Sequence, residues 1–389
     1  MTSLTIQEPT AIVESEPAYD TTKWTSYTRL SSFPKCPQKY NFSYVNKLKE
    51  NTIEVLEDSL LIGRLTHECL EMHLNGAELE SALEIVLPKW LEKDCKLSAV
   101  EDDTDEEGYV VSNGIPTRLL IDYAIKIGSI YHRCSQNYLE EDAIRNNDGS
   151  VPKDPFNYPP STVKKEINSL GLYKTSLDIN NIATILNPQF RRLKLCDLVA
   201  KAAFYLYNFK KPDWVAETLG VELRFDSLNL SWKRGKNWSG GIDWVFKTVD
   251  GAVVICDHKT EKNKTSGLDV MMHPQLNLYA HLYYELTGKL PDYLGIYHLP
   301  SGELVLAQVD LNVVQRVVKE LEVIEDDIQA AEESDRWRKP LSPAEYGVPC
   351  FRRDWKTDAL VSVCKYFKHC WPDYAFNIED ELKVFEGND

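Results

Sequence analysis

Three side chains stand out for the chemistry their types and spacing allow: Asp243, Asp257 and Lys259. Asp257 and Lys259 are two residues apart, so on a strand both project from one face. Asp243 closes Gly240-Gly241-Ile242-Asp243, upstream of Asp250-Gly251, a dipeptide that favours a tight hairpin. Folded back at that turn, positions 243 and 257 fall close to opposite each other. Two facing carboxylates repel unless a cation lies between them, which suits a hard divalent metal such as Mg²⁺. Such an ion keeps several of its waters; one can act as a nucleophile while the metal offsets charge on a phosphate under attack. Lys259 can orient that water or stabilise the developing charge. A cross-strand salt bridge on a solvent-facing sheet would use the same residues. Against that, Val253-Val254-Ile255-Cys256 is apolar on both faces, as in a buried central strand.

Positioning such a cluster needs a sheet, and the sequence supplies one in its second half. Residues 221–230 alternate apolar and polar as a strand does. Residues 241–249 and 252–259 form the hairpin around Asp250-Gly251, and residues 293–299 and 303–309 read as strands joined by Ser301-Gly302. Helical spacing predicts helices over residues 274–285 and 311–333, the latter acidic. Upstream, helices are expected over 27–33 (capped by Thr25 or Ser26), 60–74 with His67 at its middle, 79–93, 117–141 and 190–209. The acidic stretch 101–114 and the Asn-, Asp- and Pro-rich residues 146–160 read as loops. The fold class expected is therefore α/β, a mixed sheet core preceded by a large helical region. Residues 1–22 are read as a disordered leader, 23–215 as the helical region, 216–335 as the core and 336–389 as a C-terminal Cys-containing segment packing back on the N-terminal region.

A 43% apolar, 27% charged composition is that of a globular chain, and no run of 18 apolar residues suggests a membrane span. Residues 1–22 lack the basic-then-apolar layout of a secretory signal, and nine cysteines are too few for a disulfide scaffold, so a reducing cytoplasm is expected. The net charge of −16 argues against a surface that coats duplex DNA indiscriminately. Base is gathered locally, at Arg191-Arg192-Lys194, Lys210-Lys211, Lys233-Arg234-Lys236 and Lys259-Lys262-Lys264, and the last two clusters flank the acid–lysine group.

Five segments in order make the chain recognisable: Gly63-Arg64-Leu65-Thr66-His67, Glu222, Gly241-Ile242-Asp243, Asp257-His258-Lys259-Thr260 and Gln275-Leu276-Asn277-Leu278-Tyr279. With Ser26-Tyr27-Thr28-Arg29-Leu30 and Cys36-Pro37 upstream, the set resembles the RecB-like branch of the PD-(D/E)XK nuclease superfamily, and is similar to the CRISPR-associated adaptation exonucleases. The resemblance implies a restriction-endonuclease-like core and a DNA exonuclease using Mg²⁺ or Mn²⁺. His67, Asp243 and Asp257 would be metal ligands together with the backbone carbonyl of His258. Lys259 would be the catalytic lysine, Gln275 and Tyr279 would support it or contact the DNA backbone, and Glu222 would sit near the site. DNA, as single strands or ends, would be the partner, with a helicase or recombination protein beside it. A catalytically silent DNA-binding or scaffold subunit of a recombination or defence complex is the alternative.

Many members of that branch join the chain ends through an iron–sulfur cluster. Cys36, Cys364 and Cys370 fit three of its positions; the close Cys-x-x-Cys is missing, with Val361 in its place, and Cys350 is the available fourth thiolate. A [4Fe–4S] cluster, a Zn²⁺ ion and plain thiols all remain open. Other motifs fail on spacing. His67 and His73 are too far apart for His-Glu-x-x-His, and the acidic run at Asp103 ends on Gly114 where a calcium loop needs Glu. No phosphate-loop Gly-Lys-Ser/Thr or Gly-x-Ser-x-Gly elbow occurs.

Overall fold

The computed structural model describes residues 23–48, 58–93, 99–100, 115–116, 121, 124–133, 188–228, 230–261, 265–339, 351–353, 360–362, 364 and 366–371. Its centre is a five-stranded mixed sheet of β1 (Val215–Arg224), β2 (Gly241–Thr248), β3 (Val253–Lys259), β4 (Tyr293–His298) and β5 (Glu303–Gln308), in that spatial order. All neighbours are antiparallel except β3 and β4, which run parallel. A parallel pair needs a crossover, and here it is made by α5 (Gly267–Met272) and α6 (Pro274–Thr287). The carboxyl ends of β3 and β4 therefore lie at one end of the sheet.

Both faces of β3 are covered, as its unbroken apolar run anticipates. Val254 and Cys256 join a core built with α2 (Asp58–Leu74), α3 (Leu79–Lys93), residues 124–133 and α4 (Pro188–Asn208). Ile255 joins a second core with α1 (Tyr27–Lys35), α6 and α7 (Leu311–Ser334). By alternation Asp257 and Lys259 continue the second face and His258 the first.

The β2–β3 loop decides the register. Thr248 N–H donates to Ala252 O at 2.9 Å, so the loop is Val249-Asp250-Gly251, one residue longer than a two-residue turn at Asp250-Gly251. Pairing then runs Lys247 with Val253, Phe246 with Val254, Val245 with Ile255 and Trp244 with Cys256. The next step along the ladder is Asp243 against Asp257. A two-residue loop would have set Asp243 against His258 instead.

Several sequence expectations are corrected in extent. β1 starts at Val215, ahead of the expected strand at 221, and ends at Arg224, with a 3₁₀ turn over Asp226–Leu228. Two register slips, between Val215 and Glu217 and between Thr218 and Gly220, break the alternation that a period of two detects. Helix α5 was not anticipated; it is six residues long, with Ser266 and Asp269 forming a capping box. The cluster Lys233-Arg234-Lys236 is not a free basic flank: Lys233 pairs with Asp326 at 3.0 Å, Arg234 with Glu325 and Glu332, and Lys236 with Glu325. The side chains of Arg191, Arg192 and Lys194, and residues 1–22, 262, 264 and 350, lie outside the described residues. Among the described residues, no helix is long and apolar enough to cross a membrane.

Candidate metal centre

Asp243, Asp257 and Lys259 meet where β2 and β3 stop pairing. Beyond Trp244 and Cys256, the Asp243 carboxylate takes the place of the ladder, accepting from His258 N–H at 2.7 Å. Burial pushes the Asp243 carboxyl well above its usual range, and the Asp257 charge adds to this against the His258 hydrogen bond and Lys259. Two carboxylates thus share a poorly solvated corner. The Lys259 ammonium lies 2.7 Å from Asp257 Oδ2. That buried oxygen receives no hydrogen bond of good geometry besides this ion contact. Burial works against the Lys259 charge, but Asp257, Asp243 and Glu261 outweigh it, leaving the amine a stronger base than usual and held cationic.

Glu222 enters from β1. Val221 pairs with Trp244 and Leu223 with Ile242, so Glu222 stands opposite Asp243. The two bulges advance β1 by two residues and make this juxtaposition. Glu222 has φ of 47°, the left-handed region that non-glycine residues rarely occupy. Burial, then Asp243, pushes its carboxyl up to about 7. Gly241 leaves it room: a Cβ there would lie 3.2 Å from Leu223 O and 3.4 Å from Glu222 Oε2.

His67 arrives from the opposite side on α2. Its Nε2 donates to the carbonyl of His258 at 3.0 Å, and its Nδ1 lies 3.5 Å from Asp243 Oδ2. With the proton on Nε2, the Nδ1 lone pair faces a carboxylate oxygen, which calls for positive charge between them. Ligand atoms of His67, Glu222 and Asp243 all lie within 4.8 Å of one another, and no other group of described residues meets that spacing. One imidazole and two carboxylates, both raised above their usual range, form the donor set a hard or borderline divalent cation takes. The residues present fit such an ion. Glu222 is inside this compact group, whereas Asp257 is turned to Lys259.

The remaining sequence candidates fall into place around it. The His258 ring packs among Trp244, Phe209 and Tyr297 with its Nδ1 3.7 Å from Asp243 Oδ2, and burial lowers its pKa to about 3. Its backbone N–H meets Asp243 and its carbonyl meets His67. Gln275 Nε2 donates to Tyr279 Oη at 2.6 Å, one turn apart on α6. Burial raises the Tyr279 phenol, and the charges of Asp257, Asp243 and Glu222 raise it further. Two more residues feel the Lys259 charge: Tyr27 on α1, which the sequence offered only within its N-terminal signature, and His273 ahead of α6, which the sequence reading missed. Their places depend on how α1 and α6 pack on the sheet, which no local pattern records.

Residues 366–371 meet the N-terminal segment, and the charge of Cys364 is felt at both Cys36 and Cys370. Phe42 packs on Tyr366 and His369, and Gln38 N–H donates to Arg338 O. Burial first, then the charges of Cys364 and Cys36, raises Cys370 to about 11.

The sequence matches the family described as the PD-(D/E)XK nuclease superfamily over residues 25–113 and 108–364. No curated protein matches it.

Proposed function

The chain belongs to the PD-(D/E)XK nuclease superfamily, and from that premise we propose that it is a metal-dependent deoxyribonuclease, an exonuclease hydrolysing phosphodiester bonds in single strands or at DNA ends. One observation carries the reading: Asp243 opposes Asp257 at the exit of a buried strand, with Lys259 2.7 Å from one and His67 3.5 Å from the other. His67, Glu222 and Asp243 would hold the ion, with Asp257 and the His258 carbonyl completing the set. When bound, a divalent cation supplies positive charge beside the scissile phosphate and acidifies a nearby water.

The chain's own residues do the rest. Asp257 fixes the Lys259 ammonium, which stabilises negative charge on the phosphate oxygens or orients the attacking water. Tyr279 accepts from Gln275, so its hydroxyl proton is free to donate toward the strand. The order of motifs from Gly63 to Tyr279 supports the RecB-like branch, the exonuclease assignment and work beside a helicase or recombination protein; the sparse cysteines suit a reducing cytoplasm. An iron–sulfur cluster on Cys36, Cys350, Cys364 and Cys370 belongs to the same reading. It rests on the resemblance and on the positions of these cysteines in the sequence, and is tested by visible absorbance after anaerobic purification; a colourless, metal-free protein removes it.

Digestion of end-labelled single- and double-stranded DNA with Mg²⁺ or Mn²⁺ tests the activity. Wild type is expected to release labelled ends, and Asp257→Ala and Lys259→Ala to slow this by a factor on the order of 10² or more. If all three are equally inert, the silent scaffold reading replaces this one.

A further inference from the structure

His273 stands at the junction of α5 and α6, fixed on every side but one. Its N–H donates to Val270 O at 3.2 Å, closing α5. Its carbonyl accepts from Asn277 N at 3.1 Å and from Asn277 Nδ2 at 2.9 Å. The same buried amide also donates to Met271 O at 2.9 Å, so the junction cannot shift without opening these bonds. The imidazole caps α6: Nδ1 accepts from Leu276 N–H at 3.4 Å. That bond places the ring proton of the neutral imidazole on Nε2.

Capping alone does not call for histidine, because Ser, Thr, Asp and Asn do it better. What histidine adds is a second nitrogen, on a ring fixed by the cap and within reach of the charges of Lys259, Asp257 and Glu261. His273 lies two residues before Gln275, on the element that carries the Gln275–Tyr279 pair toward Asp257 and Lys259. Burial and then Lys259 lower its pKa, against Asp257 and Glu261, so the ring is a neutral donor. A neutral N–H beside a fixed ammonium suits an oxyanion that the lysine also attracts. Resting on the proposed nuclease reading, we infer that His273 is a substrate-positioning residue whose Nε2–H donates to a phosphate oxygen of the strand bound at Lys259.

His273→Asn keeps a good cap and removes only the Nε2 donor; His273→Ala removes both. Affinity is read with a fluorescent single-stranded oligodeoxynucleotide in Ca²⁺, turnover with the same strand in Mg²⁺ or Mn²⁺, and folding by thermal melting. For His273→Asn, Kd and KM are expected to rise about tenfold, the loss of one hydrogen bond to a charged group, with kcat within about twofold and the melting temperature unchanged. The difference from wild type should vanish on a strand whose terminal linkage is a neutral methylphosphonate. If His273→Asn binds and cuts like wild type while His273→Ala melts early, the residue is a cap only and the inference falls. A fall in kcat with Kd unchanged overturns it equally. Should wild type cut but show no difference from His273→Asn, this inference alone is lost; should wild type neither bind nor cut, the nuclease reading goes with it.

Discussion

Glu222 shows how much of this centre is set against the chain's own preferences. A glutamate at φ 47° carries about 1–3 kcal/mol of backbone strain, and its carboxyl is buried against Asp243. Both costs fall on the metal-free protein; a cation would offset the crowded charge and leave the backbone strain in place. The folded-state pKa of about 7 lies above the ordinary 4.5, so the penalty is absent below about pH 4.5 and complete above 7. Glu222→Gln in EDTA is therefore expected to gain stability over wild type as pH rises through that window, and to lose the added stabilisation wild type shows with Mn²⁺. Melting curves across the window check it; a gap that does not widen with pH contradicts the crowding argument. Asp257 and Lys259 were legible because they end a strand apolar on both faces, with Asp243 across a hairpin. Glu222 was placed only through the order of motifs, since its position opposite Asp243 depends on two bulges.

At the scale of elements, β2 to β5 were read to within a residue at each end, and the misses were β1 and the short helix α5. The expected helix over residues 79–93 coincides with α3, and that over 60–74 falls inside α2, because amphipathic spacing survives packing. In β1 the bulges hide the alternation. The turn between β4 and β5 was legible as Ser301-Gly302, but not what it holds. Tyr297 Oη donates to Gly302 O at 3.2 Å, and Asn208 Nδ2 at the end of α4 donates to Pro300 O at 3.0 Å. Gly302 has φ of 67°, and a Cβ there would lie 2.7 Å from Asn208 O, closer than real atoms sit. Gly302→Ala must therefore both strain the turn and push α4 from the sheet. A loss of about 2–3 kcal/mol is expected, combining a backbone and a packing effect, measured by urea unfolding. A loss under about 0.5 kcal/mol, the level of an ordinary surface change, would show that the turn relaxes freely.

For the whole molecule, charge is the feature the sequence presents most plainly and explains least. The net charge of −16 is distributed so that part of the base is spent internally. Glu325 of α7 is fully buried and takes both Lys236, itself buried, and Arg234, while Arg234 reaches Glu332 at 2.7 Å. This network fastens residues 231–238 to α7. It also steadies the short parallel pairing of Trp24–Thr25 with Asn237–Trp238, which brings in the segment leading to α1 and Tyr27. From sequence alone those cations read as a solvated face flanking the site, because partners 89 residues away are invisible to local pattern. Desolvating both charges costs nearly as much as their attraction returns, so the network serves as an orientation device more than a source of stability. Lys236→Met, which leaves Glu325 short of its closest partner, should therefore cost about 3 kcal/mol. The double variant Lys236→Met with Glu325→Leu should recover most of that, Arg234 keeping Glu332. A double-mutant cycle by chemical denaturation checks this. If the double variant stays as unstable as Lys236→Met alone, the ion pair is a net stabiliser over its apolar replacement. The role of residues 231–238 would then be energetic, and α1 would owe its place to that stability.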